Sequence, residues 1–85
     1  MTAEQVLDLL RSAVVTVLEV DGASLGRGTR FVDDLQADSL ALVEIVEIVE
    51  EDLTRAQPGF RIADEDLDRL LTLGDAVDYA VARLR

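Results

Sequence analysis

The sequence contains no cysteine, no histidine and no lysine. Without cysteine and histidine the chain has no disulfides, thiol nucleophiles, histidine-dependent triads or ordinary zinc sites. Any acid–base catalysis would depend on carboxylates, on arginine or on Tyr79. A chain of 85 residues is too small to enclose a deep cleft that would separate the pKa values of two carboxyls. The sequence therefore does not indicate an enzyme.

Positive charge is also scarce. All eight basic residues are arginine, against 18 acidic residues, and the formal net charge is −10. Phosphate contacts need a positive surface, so the composition argues against nucleic-acid binding and disfavours an anionic membrane. No apolar run approaches the length of a membrane span, and residues 1–5 lack the features of a signal peptide. These absences predict a cytoplasmic protein.

The apolar residues that are present suffice for one core. The chain is 49% hydrophobic, which predicts a single folded domain over residues 1–85. Apolar residues recur with helical spacing, and no segment alternates convincingly as a β-strand would. The sequence predicts an all-α fold: a small four-helix bundle of three longer helices, a short third helix and a long first loop.

Capping residues mark the first two helices. Thr2 with Gln5 has the pattern of a capping box, in which each side chain bonds the other residue's backbone N–H. It precedes a helix predicted over residues 3–18. Asp38 is the expected N-cap of a second helix over residues 39–53.

The second half of the chain predicts two more helices. The acidic run at its start favours a short helix over residues 64–71. Thr72 is the expected cap of a last helix that begins near Leu73. Arg83 and Arg85 suit the negative end of that helix dipole.

A long connector joins the first two helices over residues 19–37. A structureless loop of this length is unusual in a small domain, so we expect it to be functional or held by the core. Its Gly26-Arg27-Gly28 segment lacks the third glycine, the preceding strand and the lysine of nucleotide-binding loops. The expected core anchors are Leu25, Phe31, Val32 and Leu35.

Negative charge is concentrated on the second helix, since every charged residue between 33 and 54 is acidic. On a helical wheel, one side faces the core, and the acidic side also carries a serine and two apolar residues. An apolar pair rimmed by carboxylates is typical of a docking surface for a basic partner. Alternatively, the pair is covered by the connector or simply exposed. The core side is Leu42, Ile45, Val46, Val49 and Leu53, and the acidic side is Ser39, Leu40, Val43, Glu47, Glu50 and Glu51.

Ser39 is predicted to lie in the first turn of this helix. Unpaired backbone N–H groups and the helix dipole would stabilise a phosphate ester on its hydroxyl. The ordinary alternative is that Ser39, or Asp38 beside it, is only an N-cap.

The segment over residues 31–40, FVDDLQADSL, resembles the attachment segment of acyl carrier proteins. Its core is Asp38-Ser39-Leu40, with Asp34-Leu35 at the family's upstream spacing. Residues 64–66 and 72–79 are similar to the family's third and fourth helices. The resemblance covers essentially the whole chain.

This resemblance implies a non-catalytic carrier. A phosphopantetheinyl transferase would attach 4′-phosphopantetheine from coenzyme A to Ser39, and the thiol of that arm would carry acyl groups as thioesters. Asp38 and Leu40 flank the attachment residue and would help the transferase and the partner enzymes to recognise it.

The resemblance also implies the partners: the transferase, and ketosynthase and other acyl-processing enzymes with basic docking surfaces. We expect a freestanding monomer that binds neither nucleic acid nor metal. The implied partner interface is Leu40, Val43, Glu44, Glu47, Glu50 and Glu51.

Departures from the family pattern concern partner recognition. Gln36 stands at a common glycine, Ala41 at a common acid, and Glu47 where fatty-acid carriers often have an apolar residue. The connector over residues 54–62 is longer than usual and adds two arginines. These features favour a type II polyketide or related specialised pathway; the alternative is a housekeeping carrier of fatty acid synthesis.

The sequence also allows two functions of other kinds. In one, the chain is an acidic protein-interaction module and Ser39 is never modified. In the other, four aspartates have the spacing of a calcium-binding EF-hand loop, although Arg69 stands at the required glycine and the loop lacks its final glutamate. These aspartates are Asp64, Asp66, Asp68 and Asp75.

Overall fold

The described part of the chain contains three α-helices and two short 3₁₀ helices, joined by connectors. The computed structural model describes residues 1–84. Its elements are α1 (Ala3–Leu18), the 3₁₀ helix η1 (Gly22–Ser24), α2 (Ser39–Ala56), the 3₁₀ helix η2 (Asp64–Arg69) and α3 (Leu73–Arg83). The predicted all-α bundle with a short third helix is confirmed. That third helix is of the 3₁₀ type and ends two residues earlier than predicted.

The predicted caps start all three α-helices. At α1, the Thr2 hydroxyl accepts the Gln5 N–H at 3.2 Å and the Gln5 side chain accepts the Thr2 N–H at 2.8 Å. The Asp38 carboxylate accepts the Ala41 N–H at 2.8 Å and caps α2. Thr72 forms a capping box at α3. Helix α2 runs three residues beyond its predicted end, and the prediction for Arg85 lies outside the described residues.

One core joins the helices and both connectors. Helix α1 packs against both α2 and α3. The connectors contribute Leu25, Phe31, Phe60 and Ile62 to the same core. The largest side chains with almost no exposure are Phe31, Ile45, Leu53, Leu73, Val6, Val14 and Val77.

The first connector is anchored by fewer residues than predicted. Leu25 and Phe31 are buried and Leu35 is half-buried. Val32 is 65% exposed, so its prediction as a core anchor is wrong. Residues 31–35 form turns, and the Phe31 ring enters the core while its neighbour faces outward.

Backbone pairing fixes this connector against the start of α3. The Phe31 N–H donates to the Leu71 carbonyl at 3.1 Å, and the Leu73 N–H donates to the Thr29 carbonyl at 2.9 Å. The Gly74 N–H adds a bond of 2.8 Å to the carbonyl of Arg27. A Cβ atom at Gly74 would lie 2.9 Å from that same carbonyl oxygen, so the close approach requires glycine.

Tyr79 of α3 holds η2 in place. Its hydroxyl donates to Asp66 Oδ2 at 2.6 Å and accepts the Ala63 N–H at 3.3 Å. The Arg83 guanidinium lies 3.6 Å from the Tyr79 ring centroid and 3.5 Å from Asp66 Oδ2. Burial, followed by the hydrogen bond to the Asp66 carboxylate, raises the pKa of Tyr79 above its ordinary value of 10.0.

We expect this raised pKa to appear as an alkaline loss of stability. The unfolded chain loses its phenolic proton first, so the free energy of unfolding contains the full Tyr79 contribution below pH 10.0 and loses it as the pH rises through the folded-state pKa. Tyr79 is the only tyrosine, so the phenolate absorbance reports it alone. A folded-state midpoint at or below 10.0 would contradict the structure, and Tyr79→Phe should remove this part of the decline.

A second prediction concerns the cap of α2. Asp38→Ala leaves the Ala41 N–H without its carboxylate and should cost about 1 kcal/mol of stability. For a domain of this size that corresponds to a lower melting temperature by roughly 4–8 °C. Ser39→Ala is the matched control one residue along and should leave the melting temperature almost unchanged. Equal losses in the two variants would show that Asp38 is not the cap.

Candidate functional site

A tight turn delivers the chain to the start of α2. The Gln36 N–H donates to the Val32 carbonyl at 2.9 Å, and the Ala37 N–H donates to the Phe31 carbonyl at 2.9 Å. Gln36 has φ 54°, the left-handed conformation that glycine adopts most easily. The turn therefore keeps a glycine-type backbone although the side chain is glutamine. Ala37 is buried, which fixes the direction in which the chain enters the helix.

Asp34 stabilises the same turn from the other side. Its carboxylate accepts the backbone N–H of Arg30 at 2.8 Å and also contacts the Arg30 guanidinium. These hydrogen bonds from Arg30 hold the pKa of Asp34 below its ordinary value. Both side chains are exposed, so the bonds order the turn more than they stabilise the fold.

Ser39 is the first residue of α2, and its side chain is exposed. Its hydroxyl makes no hydrogen bond within residues 1–84. The Asp38 carboxylate occupies the Ala41 N–H, whereas the backbone N–H groups of Ser39 and Leu40 have no acceptor in the described chain. The hydroxyl therefore lies at the positive end of the helix dipole, beside two N–H groups that can bind an anion.

An apolar groove runs between the first connector, α2 and η2. It has a volume of about 340 Å³, and Val32 and Leu71 at its edge are each 65% exposed. Leu42, which the helical wheel assigned to the core, is half-buried and lines this groove one turn after Ser39. The periodicity of one helix could not distinguish burial under another segment from lining a groove. The other lining residues include Phe31, Leu67 and Leu70.

The acidic side of α2 has an open groove of its own beside α1. Glu44, Glu47 and Glu51 are exposed and line a groove of about 430 Å³ together with Thr16, Val17 and Ile48. Glu51 pairs with Arg55 at 3.3 Å, whereas Glu44 and Glu47 have no ion pair in the described chain. On the same helix Leu40 is 66% exposed and Val43 is half-buried.

Glu50 differs from the other predicted interface carboxylates. It is half-buried, and its Oε2 accepts the Ile62 N–H at 2.7 Å. This bond ties the second connector to α2, and the Thr54 hydroxyl adds a bond to the Phe60 carbonyl at 3.2 Å. Glu50 therefore has a structural task that the sequence pattern did not reveal.

The aspartates with EF-hand spacing are dispersed in the structure. Asp66 accepts the Tyr79 hydroxyl, and Asp75 accepts the N–H groups of Leu71 and Thr72 at the start of α3. Within residues 1–84 no cluster of three or more acidic side chains is placed to hold a metal ion. In the same range, no helix combines the length and apolar character needed to cross a bilayer.

Comparison with known proteins identifies the family. The family model described as "Phosphopantetheine attachment site" matches residues 8–80. The acyl carrier protein of Lactobacillus acidophilus is 33% identical over 79 residues, covering 93% of this chain and 92% of the relative. A second acyl carrier protein, from Sinorhizobium fredii, is 38% identical over 74 residues, covering 87% of this chain and 88% of the relative.

A solved structure agrees with the sequence comparisons. The acyl carrier protein of Enterococcus faecalis superposes with a TM-score of 0.76 at 31% identity, covering 99% of this chain and 100% of the other. Its fold is the same small helical bundle. From the sequence matches and this shared fold we conclude that the chain belongs to the acyl carrier proteins, non-catalytic carriers that bear phosphopantetheine.

Proposed function

We propose that Ser39 is the phosphopantetheine attachment residue and that residues 1–85 form one acyl carrier domain. The observation that carries the proposal is the exposed Ser39 hydroxyl, free of hydrogen bonds in the described chain, in the first turn of α2. A serine that served only as a cap would bond the helix backbone, and here Asp38 does so instead.

The residues around Ser39 fit a phosphodiester. The unpaired N–H groups of Ser39 and Leu40 and the helix dipole favour an anion at the hydroxyl. In the transfer, the Ser39 oxygen forms a new bond to the phosphorus of the pantetheine phosphate and the pyrophosphate bond of coenzyme A breaks. Adenosine 3′,5′-bisphosphate is the leaving group, and the hydroxyl proton is released. When attached, the arm supplies a thiol that carries acyl groups as thioesters.

The apolar groove beside Ser39 supports the same assignment. Val32, Leu42 and Leu71 line this open apolar surface, and Leu42 lies one turn after Ser39 on α2. An exposed apolar surface of this kind is unfavourable in water unless something covers it. An arm with its acyl group, anchored at Ser39, is a suitable occupant.

The acidic side of α2 suits enzymes with basic docking surfaces. We propose that the phosphopantetheinyl transferase, ketosynthase and other acyl-processing enzymes contact Leu40, Val43, Glu44, Glu47 and Glu51. The carboxylates of Glu44 and Glu47 support this, because they have no ion pair of their own in residues 1–84. Asp38 and Leu40 flank Ser39 and belong to the same surface. The monomeric state and the cytoplasmic location stay predictions.

For the pathway, we infer a dedicated partner set such as a type II polyketide or related specialised pathway. Glu47 is exposed at the centre of the acidic side, where an apolar residue is common in carriers of fatty acid synthesis. Arg61 of the second connector lines a groove together with Glu47, and Arg55 in the last turn of α2 pairs with Glu51. The alternative, a housekeeping carrier of fatty acid synthesis, is favoured by the overall similarity to the curated acyl carrier proteins.

Incubation with a broad-specificity phosphopantetheinyl transferase, coenzyme A and Mg²⁺ tests the attachment. The intact mass should increase by one phosphopantetheine in the wild-type protein and not in Ser39→Ala. Because Ser39→Ala removes no hydrogen bond in the described chain, the variant should keep the wild-type melting temperature. Another serine, Ser12, is exposed on α1, and Ser12→Ala is the matched control that should be modified normally.

Two results would contradict this assignment. A folded wild-type protein that gains no mass would favour the acidic interaction module. So would a Ser39→Ala variant that retains the biological function while charge reversal at Glu47 or Glu51 abolishes it.

Replacing the carrier of a bacterial fatty acid synthase with this chain tests the pathway. If the docking surface serves dedicated partners, the modified chain should fail to support growth even though its Ser39 carries the arm. Glu47→Met, which restores the common apolar residue, should improve growth, whereas Glu4→Met on the exposed start of α1 should not. Full growth with the unaltered chain would establish the housekeeping alternative.

A further inference from the structure

Arg61 is held in a fixed place at the edge of the acidic side of α2. It lies between two buried residues, Phe60 and Ile62, whose side chains anchor the second connector in the core. The Glu50 carboxylate bonds the Ile62 N–H at 2.7 Å, and the Thr54 hydroxyl bonds the Phe60 carbonyl. Phe60 and Ile62 are buried on either side of it, whereas Arg61 itself is exposed.

The surroundings of Arg61 are part of the proposed docking surface. It shares a groove of about 210 Å³ with Val43, Glu47 and Glu50. This groove lies on the opposite flank of α2 from the groove beside α1, and Glu47 contributes to both. The residues that line the two grooves therefore differ in charge. The groove beside α1 is lined by three carboxylates and no basic residue, whereas the other groove is lined by three carboxylates and one guanidinium.

Arg61 is not neutralised by the carboxylates near it. It forms no ion pair within residues 1–84, although Glu47, Glu50 and Asp64 line the same groove. Arg55, in the last turn of α2, pairs with Glu51 and Asp52. The guanidinium donors of Arg61 therefore have no acceptor in the described chain, and they lie in the groove that Val43 also lines, where an approaching protein would meet them.

We propose that Arg61 selects the partners of this carrier, a proposal that rests on the function proposed above. A partner enzyme that fits has basic side chains opposite Glu44, Glu47 and Glu51 and one carboxylate opposite Arg61. A partner whose docking surface is basic throughout meets a like charge at this point and is disfavoured. This single cation adds specificity to a surface whose affinity comes from its acidic residues.

Modification of Ser39 by a phosphopantetheinyl transferase with a wholly basic carrier-binding surface provides the test. With such a probe, removing the like charge should raise kcat/KM at low ionic strength, about threefold for Arg61→Gln and about tenfold for Arg61→Glu. Arg69→Glu is the matched control, since Arg69 is exposed, has no ion pair in the described chain and lies outside the groove. It should change kcat/KM by less than about twofold, because it lies off the contact surface.

A second measurement examines the carboxylate that we assign to the partner. Single Lys→Glu and Arg→Glu variants across the transferase surface are each assayed with the wild-type carrier and with Arg61→Glu. At one position of the transferase, the new glutamate should make kcat/KM higher for the wild-type carrier than for Arg61→Glu. With the unaltered transferase, Arg61→Glu has the higher kcat/KM. That reversal identifies the residue opposite Arg61.

The outcomes are distinguishable from those of the attachment test. If Ser39 is modified but Arg61→Glu and Arg69→Glu change kcat/KM equally, only net charge matters and the role of Arg61 is overturned. Absence of any reversal across the transferase variants also overturns it. If folded wild-type protein is never modified, the attachment itself fails. Melting curves of each variant show that it is folded, and Arg61→Gln replaces Arg61→Glu if the latter unfolds.

Discussion

Backbone pairing between the first connector and the start of α3 is the interaction on which the site depends. Three hydrogen bonds join residues 27–31 to residues 71–74, and Gly74 allows the two backbones to approach. They hold Phe31 where its ring fills the core, and the turn that follows places Ala37 inside and Ser39 outside. The long loop is thus held against α3, and Ser39, the attachment residue that we propose, has a defined position at the start of α2.

Helix α2 performs three tasks with its different sides. Ile45, Val49 and Leu53 fill the core, the N-terminus presents Ser39, and the remaining surface carries the acidic residues. Glu50 takes part in two of these roles. The sequence predicts that its carboxylate contacts partner enzymes, and in the structure the same carboxylate also bonds the second connector. That connector in turn places Arg61 beside the carboxylates, so that one flank of α2 differs in charge from the other.

The capping residues correctly predicted where the three α-helices begin. Thr2 with Gln5, Asp38 and Thr72 satisfy backbone N–H groups within their own first turns, so these caps operate without any distant contact. Val32 and Leu42 were assigned to the core because hydrophobicity alone cannot say which apolar residues another segment covers. The structure leaves both at an open groove beside Ser39.

The sequence by itself determined the helical class, the caps, the acidic side of α2 and the motif around Ser39, because each depends on residues within a few positions of one another. Only the tertiary structure decided which apolar residues stay open beside Ser39, which carboxylate holds a loop, and where Arg61 lies relative to α2. These properties depend on contacts between segments far apart in the chain, such as Glu50 with Ile62 and Tyr79 with Asp66. The hydrophobic periodicity of one helix does not show which other segment of the chain packs against it.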